Sequence, residues 1–276
     1  VSAGDTLTIP ADITLQINGT LDNYGTIDNY GKIYNNGLIF NDGTIENNDF
    51  ITIAGSGTFN NNAGGTFNNN SIIDGNGSYF HRILDYGTIN NDGTINNDGS
   101  ITIANDGILN NDGTINNDGD ISNYQKIKND GEINNNNNGY IDNHDNLINN
   151  NQIINNGAIY NLGTTINEGT IDNDGTLENT DTIYNHNLIN NNENIFNYDT
   201  INNDGTIDND GAIFNDGTIT LDNLGTIDND GTLENTNTIN NLGTINNDGT
   251  ITNDGTITGD APIEAATVEP EVEAAT

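Results

Sequence analysis

An aliphatic residue returns at every sixth position along most of the chain, beginning Leu21, Ile27, Ile33, Ile39, Ile45, Ile51. The polar residues repeat with it, in the phrase Gly-Thr-Ile-x-Asn-x. Instances are Gly25-Thr26-Ile27-Asp28-Asn29-Tyr30, Gly93-Thr94-Ile95-Asn96-Asn97-Asp98 and Gly243-Thr244-Ile245-Asn246-Asn247-Asp248. The column shifts by two residues at Ile51–Ala54, at Ile101–Ala104, across Asn134–Asn138 and at Ile219–Leu221, and it ends at Ile263. Even-numbered shifts keep its parity, as an extended chain requires, because a one-residue slip would turn the inward face outward. Helix is disfavoured: the period is wrong, and a Gly in every sixth place costs about 1 kcal/mol each. A short fixed period is the mark of units that bury nothing alone and must stack.

Where the repeat lacks Gly, the substitutes are mostly Asn or Asp: Asp49, Asp145, Asn151, Asp181, Asn187, Asp199 and Asn237. These residues tolerate a left-handed backbone best, so the position reads as a corner with positive φ. Corners every six residues give a coil of two or three sides. The phrase GTIDNDGTLEN at Gly169–Asn179 recurs at Gly225–Asn235. Allowing for one two-residue insertion, that spacing fits whole 18-residue coils and not 12-residue ones. The expected fold is therefore all-β, a single β-solenoid of three six-residue sides, with handedness unread. Eighteen residues per coil would give about 15 coils and a rod of roughly 70 Å at about 4.8 Å per coil. The expected organisation is an N-terminal strand region, cap or docking edge at 1–22, repeats over 23–258 with an irregular insert at about 54–86, and an acidic tail or donated strand at 259–276.

Asn lies two residues after the aliphatic at Asn23, Asn29, Asn35, Asn41, Asn91, Asn97, Asn111 and Asn117, and in every hexad from Asn143 to Asn215. Equal parity puts these amides on the inner side. At the spacing of stacked strands they can hydrogen-bond along the rod, as in Asn ladders, or each can cap its own corner. Both readings stay open.

Composition adds restrictions. The formal net charge is −37, with Lys32, Arg82, Lys126 and Lys128 the only basic residues besides three His. Such a chain repels nucleic acid and anionic membrane surfaces. Only 32% of residues are hydrophobic, a level that suggests disorder when no period accompanies it. No apolar run is long enough to span a membrane. The absence of Cys rules out a disulfide framework. The chain begins at Val1 with no visible targeting segment, which fits a mature secreted chain that has lost its signal peptide.

The opening Ala3-Gly4-Asp5-Thr6-Leu7-Thr8-Ile9-Pro10, followed by GTLDNYGTIDNYG, resembles the Asn/Gly-rich β-solenoid repeats of prokaryotic cell-surface proteins: adhesins, S-layer-associated proteins and extracellular fibre subunits. The resemblance implies an extracellular or cell-surface, non-enzymatic chain. The hexapeptide β-helix of acyltransferases is similar only in period; this chain places Asp145, Glu193 and His81 where that family wants small residues.

Candidate chemistry lies on the outward parity. Asp92, Asp98, Asp112, Asp118, Asp204, Asp210, Asp216, Asp230, Asp248 and Asp254 would align along a rod and repel, inviting Ca²⁺ as a cofactor or leaving a solvated acidic surface. His81, His144 and His186 show no metal spacing. Phe59, Phe67, Tyr79, Phe80, His81 and Arg82 mark the irregular segment as a docking spot or a wider core. Outward Tyr24, Tyr30, Tyr34, Phe40, Tyr160, Leu162, Tyr184, Phe196, Tyr198 and Phe214 would suit lateral contact if they cluster. Sequons at Asn18, Asn69 and Asn76 are candidate glycosylation points. A row of Thr (Thr26, Thr94, Thr244) keeps an ice-binding role as a remote alternative. No acid–base pair recurs beside a nucleophile, so no enzyme is expected.

The terminal repeats match the consensus without a polar cap, and an open β edge invites pairing. Alternating Val268 and Val272 could add a strand to a neighbour. The expected function is a secreted filament subunit joining head to tail through Leu7, Ile9, Ile13, Leu15 and Ile17 at one end and Ile251, Ile257 and Ile263 at the other. The alternative is a monomeric adhesin or stalk that binds a glycan or surface.

Overall fold

The computed structural model describes residues 1–70, 82–222 and 224–264. Forty short strands, all but the last of four residues, wind into thirteen coils and one further strand; no helix occurs among the described residues. The first coil comprises Thr6–Ile9, Thr14–Ile17 and Thr20–Asn23. Every third strand pairs in parallel, giving three sheets of 14, 13 and 13 strands. The result is a three-sided solenoid in which Thr170 of one coil stands over Gln152 of the coil before and under Leu188 of the coil after. Thirteen coils replace the expected fifteen: six corners take four residues where two were expected, as at 54–57 and 104–107, and the expectation counted as repeat the residues before Thr6, those between Asn69 and Arg82 and those after Gly259.

The inward column is the core. Ile27, Ile95, Ile153, Ile207 and Ile245 are at most 1% exposed, with Phe59 and Phe67 among them. Those two rings meet edge to face at 5.0 Å, so the irregular segment begins as ordinary coils with a larger filling. Strands Thr58–Asn61, Thr66–Asn69 and Arg82–Asp85 keep the repeat through it. Tyr79, Phe80 and His81 lie outside the described residues, as do Val268 and Val272. Thr165 interrupts the column; it is buried, and its hydroxyl donates to Asn161 Oδ1 at 2.8 Å. The strands of residues 6–23 form the first coil, in register with the second.

The Asn column forms ladders. On the first sheet Asn29 to Asn247 hand one amide hydrogen to the next Oδ1 through eleven successive bonds of 2.6–2.8 Å. The third sheet carries nine such bonds from Asn23 to Asn203. The second carries seven from Asn123 to Asn253. The second amide hydrogen goes to a backbone carbonyl of the following coil, as from Asn155 to Thr176 at 2.9 Å. Both readings of the column hold, often at one residue: Asn111 donates to Asn129 Oδ1 in the ladder and to Gly113 O in its own corner. Oδ1 accepts from its own corner N–H at Asn23, Asn29, Asn35, Asn123 and Asn241, and so does the carboxylate of Asp85. Each of these residues has no Asn one coil before it. Oδ1 accepts from its own corner where no amide precedes it and from the preceding amide along the ladders.

The corner glycines do not have positive φ. Among the described residues only Gly4, Gly259, Asp12 and Asn105 do. The requirement is close approach: a Cβ on Gly113 would lie 2.1 Å from the carbonyl oxygen of Gly93, one coil back. Where a side chain stands instead, the corner shifts along the rod. Leu188 N–H reaches Gly169 across Asn187 at 3.2 Å, whereas Thr206 N–H meets Asn187 O at 2.6 Å. Glu193 and Asn237 show the same long–short pair, 3.2 and 2.7 Å, while Gly stacked on Gly gives 2.9 Å at Thr114. Exposed polar side chains fill these corners because they project sideways into water.

Asn173 accepts from Asn155 and donates to Asn191 Oδ1 and Asn194 O. Its replacement by Ala takes the ladder partner from two buried groups, the Asn155 amide and Asn191 Oδ1, and each such loss costs about 1–3 kcal/mol. Asn173→Ala should lower the thermal midpoint by far more than Asp174→Ala at the exposed corner beside it, as read by circular dichroism melts. Equal midpoints would show that the ladder adds no stability.

Candidate functional site

Folding into three-sided coils sorts the outward residues by face. Asp92 and Asp112 stack on the corner between the third and first sheets, and Asp204 lies farther along it. Asp98 and Asp118 stack on the corner between the first and second sheets, where Asp210, Asp230 and Asp248 follow on successive coils. Asp216 and Asp254 occupy the corner between the second and third, two coils apart. All of these are exposed. Burial, and then Asp118, raises the Asp98 carboxyl above the ordinary range. Burial, followed by Asp210, Asp228 and Asp230, does the same to Asp208. Asp208 and Asp228, with Asp230, Asn246 and Asp248, line a shallow depression of about 330 Å³. Among the described residues no three His, Asp or Glu side chains converge to hold a metal ion. His144 stacks on Tyr124 at 4.4 Å, and His186 meets Asp204 at 2.6 Å.

The sequons differ in access. Asn18 is exposed. Asn69 is fully buried, with its amide hydrogens given to Asn97 Oδ1 and Ser100 O, so it cannot carry a glycan in the folded chain. Asn76 lies outside the described residues.

The expected end surfaces also sort. Leu7 and Leu15 are half-buried, while Ile9 and Ile17 are core. Ile13 belongs to a four-residue corner and not to a strand, and is 52% exposed. At the other end Ile251 and Ile257 are half-buried. Ile263 leaves the inward column: it pairs opposite Asn246, an outward position, and is 60% exposed. The added strand Ile263–Glu264 therefore continues the first sheet without continuing the core.

One surface is assembled only by the coiling. Along the second sheet the outward residues Asp142, Tyr160, Glu178, Phe196, Phe214 and Glu234 stand in direct register. Phe196 and Phe214 stack face to face at 5.1 Å, 10° from parallel. Tyr140 lies parallel to Tyr160 at 6.3 Å. Two concavities open on this column. One of about 160 Å³ is lined by Asp142, His144, Tyr160, Leu162 and Glu178. The other, about 300 Å³, is lined by Phe196, Tyr198, Phe214, Asp216 and Glu234. The sequence pattern marks Tyr160, Phe196, Tyr198 and Phe214 individually as outward, and it does not mark Tyr140. Their interleaving with carboxylates emerges only when residues 18 or 20 apart are set side by side.

Among the described residues the core holds one carboxyl. Asp85 stands in the Asn position of the second sheet, in register with Ile53 and Ile103. It is fully buried, and its Oδ2 has no partner among the described residues. Burial pushes its pKa up to about 7, against the lowering effect of N–H donors from Gly87 and Ile108. The folded value lies above the ordinary 3.8 of the unfolded chain. Stability from this group is therefore greatest at acid pH and is lost as pH rises through about 4 to 7, by on the order of 4 kcal/mol in all. Asp85→Asn should stabilise the protein at pH 8 and much less at pH 4.5; an equal effect at both values would refute the buried-acid account. The acidic rows predict a second outcome. Salt should raise the melting temperature by screening, with Ca²⁺ and Mg²⁺ equivalent at equal ionic strength; a specific gain from Ca²⁺ would reveal a coordinating site.

The haemagglutinin repeat family model matches residues 1–63, 84–161, 121–186 and 182–261. Among solved structures, the crystal structure of a TibC-catalysed hyper-glycosylated TibA fragment aligns with 94% of this chain and 97% of that one, at 15% identity and a TM-score of 0.34. No curated protein matches. With four matched stretches covering most of a chain that coils continuously through them, the protein belongs to the haemagglutinin repeat family.

Proposed function

We propose that the chain is a stiff rod of a cell-surface, adhesin-type protein, with a structural and adhesive role and no catalytic one. The observation that supports it is the continuity of the three sheets, which run the length of the described solenoid without a hinge in their pairing. Parallel sheets held by interior amide ladders resist bending, and each coil touches only its neighbours, so length can be extended by repetition. Such a rod holds a binding surface away from the cell and displays it along its side.

A second reading, assembly into filaments, draws on the end layers. Leu7, Leu15 and Leu21 at one end and Ile251 and Ile257 at the other are half-exposed counterparts of the core. Either layer would accept a further coil, supplied by a second copy or by additional repeats of a longer chain. Copy on copy, the contact is heterologous and propagates without closing. Self-association head to tail is the partner choice this reading makes, and glycan or surface contact is that of the first.

Small-angle scattering tests both. The rod reading expects an elongated particle about 60 Å long, thirteen coils at about 4.8 Å. The filament reading expects that length to grow with protein concentration and to stop growing in a Leu7→Lys/Leu15→Lys variant. A length independent of concentration rejects the filament, and a compact particle rejects the rod.

A further inference from the structure

The two concavities on the second sheet are versions of one notch. In each, an aromatic ring forms the floor, Tyr160 or Phe214. In each, a glutamate stands one coil farther on in direct register, Glu178 or Glu234. A ring at the preceding corner closes one side, His144 or Tyr198. Glu178 and Glu234 make no ion pair among the described residues. The four Lys and Arg of the chain are elsewhere in the sequence; the basic group at the first notch is the imidazole of His144. The phenol of Tyr160 is held above its usual range by burial and then by Glu178, Tyr140 and Asp142, which records the negative field at the notch.

A flat aromatic face beside a carboxylate is suited to a guanidinium. The cation lies on the ring by cation–π attraction, and the carboxylate accepts its paired N–H donors. Lysine fits less well, because a point charge cannot stack and pair at once. The two floors are three coils apart, about 14 Å at about 4.8 Å per coil. An extended peptide rises about 3.3 Å per residue and repeats its side every second residue, so side chains four positions apart span that gap on one face. We propose that the second sheet docks an extended, basic polypeptide segment of a partner protein, reading two arginines four residues apart in the notches at Tyr160–Glu178 and Phe214–Glu234.

This inference rests on the display-rod reading, and its test can fail while the rod stands. The full chain is titrated by calorimetry, at low salt, with a short peptide carrying two arginines four positions apart. The controls are the same peptide with the arginines three apart, the peptide with lysines in their place, and a neutral β-linked oligosaccharide. Expected is saturable binding to the four-apart arginine peptide, at least tenfold tighter than to either control peptide, and none of the oligosaccharide. Glu178→Gln with Glu234→Gln, and separately Phe214→Ala, should each weaken binding tenfold or more. Asp208→Asn with Asp228→Asn, which removes as much charge from the first sheet, should leave it unchanged. All substituted side chains point outward, and circular dichroism confirms that each variant is folded. Three results would overturn the proposal: equal affinity for all basic peptides, equal loss from the first-sheet variant, or oligosaccharide binding insensitive to the glutamate changes. The first two would leave only general attraction to an acidic rod, and the third would make the face a sugar platform. Scattering on the same samples judges the rod independently.

Discussion

The structure depends on the hydrogen bond between equivalent side-chain amides of successive coils. A carboxamide carries two donors and an acceptor, and strands stacked about 4.8 Å apart bring like residues within bonding distance. One donor therefore meets the next amide, the other meets the next backbone, and the acceptor receives from the coil before, as at Asn173. No other side chain of its length does all three. Gln carries the same amide on a longer arm, Asp lacks donors, and Ser lacks the second donor. The inner face can be half polar without leaving buried groups unpaired, which explains how a chain only 32% hydrophobic folds.

The column also has exceptions. Ile53, Ile103 and Leu221 stand in it, each followed by a four-residue link to the next strand, but Ile17 stands in it before a two-residue link, and Asn61 and Asn135 precede links of four, so corner length does not follow the amide alone. Asp85 keeps the acceptor and loses the donors. It caps its own corner through Gly87 and leaves Oδ2 unmatched between two isoleucines. The second sheet thus has no ladder until Asn123, whereas the first runs unbroken from Asn29. A defect in the pattern is local because each coil contacts only the next.

Much of the fold was legible in the sequence because one period carries it. Parity fixed the inward column, and the recurrence of one eleven-residue phrase chose three sides over two. The corner glycine was misread. Asn and Asp as substitutes imply a left-handed backbone when residues are weighed singly, but the constraint comes from the carbonyl of the preceding coil, which a single turn does not contain. Asn69 and Ile263 failed for a related reason: a sequon and an aliphatic residue look available until their coil places one inside the ladder and the other outside the core. The candidate docking face was the least legible, because its column joins residues of different coils.

That face also shows what a solenoid can do with a monotonous repeat. Inward positions are fixed by stacking and have almost no freedom to vary. Outward positions touch only their equivalents one coil away, so a change there leaves the core intact. An aromatic pair such as Phe196 and Phe214 gains from its neighbour by stacking, whereas paired carboxylates such as Asp208 and Asp228 repel. Rows of like residues therefore stabilise or destabilise the rod according to their chemistry. A column that sets rings between its carboxylates avoids the repulsion: Tyr160 and Phe196 flank Glu178, and Phe214 precedes Glu234. The arrangement that suits an arginine-bearing ligand is thus also one that an acidic rod can hold in its absence, without a counter-ion to keep the glutamates apart.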